Sequence, residues 1–140
     1  MLTITRRIEF DAGHRLINHE SKCRNVHGHR YVALITVRAP ELDAVGRIID
    51  FGKVKELVGG WVDHHWDHGF ICQGTYALEE TMIEEGLKVY PLGNPPTAEN
   101  MSKYLFDVAT ELLVPLGIEV YHVRLFETPN CHADYNPRSA

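Results

Sequence analysis

The stretch Val26-His-Gly-His-Arg-Tyr-Val-Ala-Leu-Ile-Thr-Val-Arg38 reads as one long β-strand. Its odd positions are His27, His29, Tyr31, Ala33, Ile35 and Val37, so an apolar row opens with imidazoles. Alternate side chains of a strand point the same way, which puts His27 and His29 on one face about 7 Å apart along the chain. Upstream, Leu2, Ile4, Ile8, Phe10 and Ala12 occupy even positions, while Thr3, Thr5, Arg7, Glu9 and Asp11 occupy odd ones, with Arg6 the exception. That period of two predicts a half-buried first strand. Continued in phase, it turns His14 inward. A polar loop through Asn18, Glu20, Ser21, Lys22 and Asn25 separates the two strands, so a hairpin brings His14 to the same end of the sheet as His27 and His29.

Downstream, Pro40 to Gly46 reads as a turn. Asp50 is placed to cap a helix starting near Phe51, because its carboxylate accepts from exposed N–H groups of the first turn. Val54, Leu57, Val58, Trp61 and Val62 give that helix one apolar face, and Asp63-His64-His65 is expected just past its end. Residues 69–96 carry the weakest pattern. Leu78, Met82, Ile83 and Leu87 fit a short amphipathic helix, and Pro91-Leu-Gly-Asn-Pro-Pro96 reads as a loop. Thr97 caps the clearest helix, whose apolar residues Met101, Tyr104, Leu105, Val108 and Leu112 follow helical spacing. Pro115 and Gly117 stop it. A strand from Ile118 to about Glu127 follows, then a short one near Cys131 to Tyr135. Two strands, two or three helices and one or two more strands imply an α+β fold: an antiparallel sheet packed by helices, one domain over residues 1–140.

Composition narrows the class. The chain has 140 residues, 44% of them hydrophobic and 24% charged, enough to bury a core without disulfide staples. Formal net charge is -5 with the signs interspersed, which argues against a nucleic-acid partner and its usual basic stripe. No signal peptide or membrane-length apolar run is visible. Cys23, Cys72 and Cys131 are odd in number and widely spaced, not a disulfide framework, so a reducing cytoplasm is expected. Of nine histidines, seven fall in the stretches His14–His29 and His64–His68. Clustered imidazoles suggest a metal or proton-transfer site.

Zinc takes tetrahedral nitrogen or sulfur ligands and keeps one position open when catalytic. His27 and His29 on one strand, with His14 from its neighbour, make a facial trio. H-x-H alone is equally a pair of hydrogen-bonded histidines at a strand start; His14 in phase tips the balance toward metal. Cys23, four residues before His27, has three readings: a fourth ligand closing a structural site, an inert buried thiol, or an acid-base group beside an open metal. Asp63-His64 fits a carboxylate–imidazole relay, or merely a polar helix C-terminus. Glu127 ends an apolar strand, where a buried carboxylate needs a partner such as paired N–H groups of a heterocycle; otherwise it is a solvated strand end.

Together the residues resemble the 6-pyruvoyl-tetrahydropterin synthase superfamily, most closely its bacterial carboxy branch. The matching pieces are Phe10-Asp-Ala-Gly-His14-Arg-Leu, Cys23-Arg-Asn-Val-His27-Gly-His29, Gly46-Arg-Ile-Ile-Asp50-Phe51, Val62-Asp63-His64-His65, Asn94-Pro-Pro-Thr97-Ala-Glu99-Asn100 and Glu127-Thr128. They run in family order over nearly the whole chain. The resemblance implies a T-fold (tunnelling-fold) subunit, trimers joined through their sheets and stacked as a homohexamer, and active sites between subunits. It implies Zn2+ held by His14, His27 and His29, and Cys23 as general base with Asp63 and His64 as relay partners. Glu127 would anchor the pterin edge, with help from Thr97. The implied substrate is the pterin triphosphate 7,8-dihydroneopterin triphosphate. In the carboxy branch the products are 6-carboxy-tetrahydropterin, acetaldehyde and triphosphate, on the route to 7-deazaguanines such as queuosine.

The short Cys23–His27 spacing, and Lys22 rather than Glu before the cysteine, favour the carboxy branch over the pyruvoyl and folate-pathway relatives. The 65–96 stretch is longer than that branch leads one to expect, as a surface insertion or a cover for the site mouth, and the tail Asn130-Cys-His-Ala-Asp-Tyr-Asn136 also departs from it. A reading from another class is a zinc-stabilised, non-catalytic binding module, which predicts a sealed site that includes Cys23.

Overall fold

A computed structural model describes residues 1–138; the last two positions of the one-domain reading lie outside the described residues. Strand β1 spans Ile4–His14 and β2 spans His27–Arg38. They pair antiparallel along their whole length, with His14 opposite His27 and Ala12 opposite His29. The predicted hairpin and its phase both hold: Ile8, Phe10, Ala12 and His14 are buried, as are Tyr31, Ala33, Ile35 and Val37 across from them.

Helical residues after the hairpin form a continuous run in three parts: α1 (Phe51–Val54), a π-helical stretch (Lys55–Gly59) and α2 (Gly60–His65). The Asp50 carboxylate accepts from the N–H of Gly52, as its cap position predicts. Val54, Val58, Val62 and Trp66 are all fully buried, a repeat of four. On an ordinary helix each step of four drifts about 40° around the axis. The wider π turn absorbs part of that drift and keeps the row facing the sheet. Asp63, His64 and His65 therefore lie within the last turn of α2, not beyond it.

The 69–96 stretch corrects the expectation of a purely antiparallel sheet. Gly69–Cys72 is a strand, β3, and Val89–Pro91 another, β4, joined by helix α3 (Ala77–Glu84). β3 runs parallel to β1, and β4 parallel to β3. Parallel neighbours need a crossover, and α3 supplies it. The stretch is thus part of the sheet rather than an insertion upon it. α3 is tied down by a charge pair with its acid buried: the half-buried guanidinium of Arg15, next to His14, donates through Nη2 to both carboxylate oxygens of Glu79 at 3.1 and 3.3 Å.

Helix α4 (Ala98–Leu113) buries Met101, Leu105, Ala109 and Leu113, one row at a spacing of four, against the sheet. Gly117 takes the left-handed φ of 75° that ends the following turn, a conformation open to glycine at little cost. β5 (Glu119–Thr128) pairs antiparallel with β2, and β6 (Cys131–Tyr135) with β5. The sheet has six strands in the order β4-β3-β1-β2-β5-β6. No helix among the described residues is long and apolar enough to cross a membrane.

Candidate metal centre

The β1–β2 register sets His14 and His27 directly opposite each other, with His29 one step inward on the same face. Gly28, between the two ligand candidates, permits this close pairing: a Cβ there would stand 3.1 Å from the carbonyl oxygen of Ala12. Ring nitrogens of His14, His27 and His29 all lie within 4.8 Å of one another. His14 is 1% exposed.

Hydrogen bonds fix how these rings face. His14 Nδ1 lies 2.7 Å from the carbonyl oxygen of Pro96, and His27 Nδ1 lies 2.7 Å from that of Asn25. A carbonyl can only accept, so each Nδ1 carries the proton. Burial, with smaller contributions from His27 and His29, holds the pKa of His14 down to about 4, so near neutral pH its ring is uncharged and its Nε2 is a bare lone pair. With its Nδ1 turned to the Asn25 carbonyl, His27 points its Nε2 inward, and the two Nε2 atoms stand 3.1 Å apart. The Nε2 of His29 is buried and makes no hydrogen bond. Burial first, and His27 after it, also lower the pKa of His29, while Glu127 opposes them. Three ring nitrogens that converge on one point, with His14 uncharged near neutral pH, fit a cation, and three imidazoles are the donor set zinc accepts.

Glu127, near the end of β5, borders this group. Its Oε1 is 3.4 Å from the Nε2 of His14 and 3.4 Å from that of His29, and its side chain is 29% exposed. It is neither a deeply buried charge nor a free strand end. It does not join the set of ligand atoms that are mutually close.

Cys23 lies in a one-turn helix, Lys22–Arg24, and the Leu16 N–H donates to its carbonyl at 2.9 Å, folding the loop back toward the end of β1. Its thiol is half-buried and unpaired. Among the described residues no cysteine joins the histidine group, so the site is a trio rather than a four-ligand cage. Cys72 is the inert cysteine of the chain: burial pushes its thiol up to about 11.

Thr97 caps α4, its Oγ1 accepting from the N–H of Asn100 at 3.1 Å, and it directly follows the Pro96 carbonyl that holds His14. Asp63 and His64 are not brought to the trio within the chain. Both are exposed on the last turn of α2, where the Asp63 carbonyl accepts from Lys88 Nζ and the His64 ring meets His65 edge-on. Sequence reasoning missed the carbonyl partners of His14 and His27, which have no side-chain signature. It also missed Tyr31, whose hydroxyl lies 3.2 Å from His14 Nδ1, although Tyr31 stands in phase with His27 and His29.

Fold and site together define a class: an α+β domain with a three-histidine cluster that could hold a metal ion at the end of a β-hairpin. The family profile of 6-pyruvoyl tetrahydropterin synthase matches residues 3–138. A 6-carboxy-5,6,7,8-tetrahydropterin synthase of Rickettsia bellii is 45% identical over 137 residues, covering 96% of this chain and 99% of that protein. The 6-pyruvoyl tetrahydropterin synthase structure of Caenorhabditis elegans superposes with a TM-score of 0.73 at 25% identity, covering 98% of this chain and 96% of that one. An uncharacterized protein of Wolinella succinogenes shares the fold with a TM-score of 0.81 at 20% identity, covering 98% of both chains. The chain belongs to the 6-pyruvoyl tetrahydropterin synthase family. The T-fold that the sequence resemblance implies is the fold observed, its sheet mixed through β3 and β4.

Proposed function

We propose that this chain is a zinc-dependent 6-carboxy-5,6,7,8-tetrahydropterin synthase, a lyase converting 7,8-dihydroneopterin triphosphate to 6-carboxy-tetrahydropterin, acetaldehyde and triphosphate. The observation that carries the reading is the convergence of three imidazole nitrogens on one point, with the outer Nδ1–H groups of His14 and His27 turned onto carbonyls, in a chain of this family. The names of its curated relatives support the carboxy reaction over the pyruvoyl one.

In this reading His14, His27 and His29 hold the zinc. Bound there, zinc would act as a Lewis acid on the hydroxyls of the substrate side chain and lower their pKa. Cys23, outside the ligand set but on the loop that closes the hairpin, serves as general base. Glu127 offers its partly exposed carboxylate to the amino-pyrimidine edge of the pterin, a bidentate pairing that orients the ring. Thr97 lines the same end of the fold. Asp63 and His64 lie away from the trio of their own chain, which fits a relay pair delivered to a neighbouring subunit's site in a homohexamer. A cytoplasmic setting, one domain over the chain and a place on the 7-deazaguanine route complete the proposal. The binding-module alternative requires Cys23 to seal the metal, and its absence from the ligand set speaks against it.

The test is incubation of the zinc-loaded chain with 7,8-dihydroneopterin triphosphate and mass analysis of the products. Acetaldehyde with 6-carboxy-tetrahydropterin is the expected outcome. A 6-pyruvoyl product without acetaldehyde would assign the chain to the other branch, and no turnover with zinc retained would favour the binding module.

A further inference from the structure

We infer that Asn100 is a positioning residue for the metal centre, acting through the Pro95-Pro96-Thr97 turn on His14. The inference rests on the metal reading of the trio and goes one shell outward from it. The Nδ1–H of His14 donates to the carbonyl of Pro96 at 2.7 Å, shorter than the 3.2 Å to the Tyr31 hydroxyl, and that bond turns the other ring nitrogen toward the centre. Pro96 is buried, and its ring fixes its φ. The direction of its carbonyl is then set by the peptides on either side. The Thr97 N–H donates to the Pro95 carbonyl at 2.8 Å, closing a tight turn centred on Pro96. The Asn100 side chain donates through Nδ2 to the same Pro95 carbonyl at 2.9 Å. The Asn100 N–H donates in turn to Thr97 Oγ1 at 3.1 Å. Asn100 thus grips the turn through side chain and backbone, from the first turn of α4. Its amide aims the Pro96 carbonyl at His14, and His14 at the metal.

Asn100→Leu tests this. Leucine has nearly the shape of asparagine, favours helix more strongly and lacks the donor. If Asn100 served only the helix, the metal-free chain would keep or raise its unfolding temperature and zinc affinity would not change. The positioning role predicts that the full-length variant, folded and with an unfolding temperature no lower than that of the wild type, binds zinc about tenfold more weakly in competition with a chromophoric chelator. Its cobalt(II)-substituted form should show an altered visible spectrum. Asn100→Gln, which keeps an amide donor, should recover part of the affinity. Wild-type zinc affinity and an unchanged cobalt spectrum in Asn100→Leu overturn the inference, provided that His27→Ala abolishes zinc binding. A wild-type chain that takes up no zinc overturns the metal reading itself, and this inference with it. If Asn100→Leu misfolds, the same measurements on Asn100→Gln and Asn100→Ser decide: graded affinity following donor strength supports the role, and identical affinities reject it.

Discussion

The chain holds two dense groups of histidines, and they differ in one respect. At the end of the β1–β2 hairpin, the outer nitrogens of His14 and His27 are occupied by carbonyls, their inner ones face each other, and the buried Nε2 of His29 makes no hydrogen bond. Just beyond the end of α2, the polar groups that come together are already paired. Asp11, Asp67 and His68 come as close together as metal ligands do. Yet Asp67 accepts from the Asp11 N–H and pairs with His68, while Asp11 pairs with Arg30. His68 is 75% exposed on its side chain. Proximity of donor atoms is shared by both groups; an unmet demand for positive charge belongs to the hairpin alone.

The largest expected effect breaks that contrast directly. His27→Ala should lower zinc affinity by more than roughly a hundredfold, beyond what loss of an outer partner costs. His68→Ala should leave metal content, measured by atomic absorption, unchanged. Zinc lost from His68→Ala instead would reverse the assignment of the two groups.

Next in size is Cys23→Ala. A general base contributes about 10²–10⁴-fold, so turnover should fall within that range while one zinc per chain is kept. Loss of zinc together with turnover would return Cys23 to the ligand set.

Acid should separate the groups as well. The pKa of His14 falls from 6.5 in the unfolded chain to about 4 in the fold, chiefly through burial. The unfolded state therefore binds the proton more tightly. The stability that His14 contributes is complete above about pH 6.5 and is lost as pH drops toward 4. For the metal-free chain this amounts to roughly 3 kcal/mol, read from urea midpoints across that window. His14→Phe should flatten the profile there. The smallest effect expected is Thr97→Ala, which removes the cap of α4 and should cost about 1 kcal/mol in the same measurement.

The hairpin was legible because one of its faces is wet. Alternation in β1 and β2 carries the phase of His14, His27 and His29, and register does the rest. α4 was legible for the same reason, its buried row standing against a polar back. β3 was not, because all of Gly69–Cys72 is buried and the period-two signal vanishes when both faces are covered. Glu79 hides similarly: in Leu78-Glu79-Glu80 it reads as a solvated charge, and only the tertiary approach of Arg15 makes it a buried one. At the site, side-chain ligands announce themselves by type and spacing. The peptide oxygens that orient them do not, and Asp63 and His64, though visible in sequence, find no partner at the trio within one chain.

The π-helical stretch Lys55–Gly59 has a consequence for that last pair. Each residue on a helix advances the azimuth by about 100°, so removing one residue between 55 and 59 would swing everything after it through more than a quarter-circle. Asp63 and His64 lie one turn downstream. The surplus residue works as an angular shim, deciding the compass bearing of a carboxylate and an imidazole on the last turn of α2.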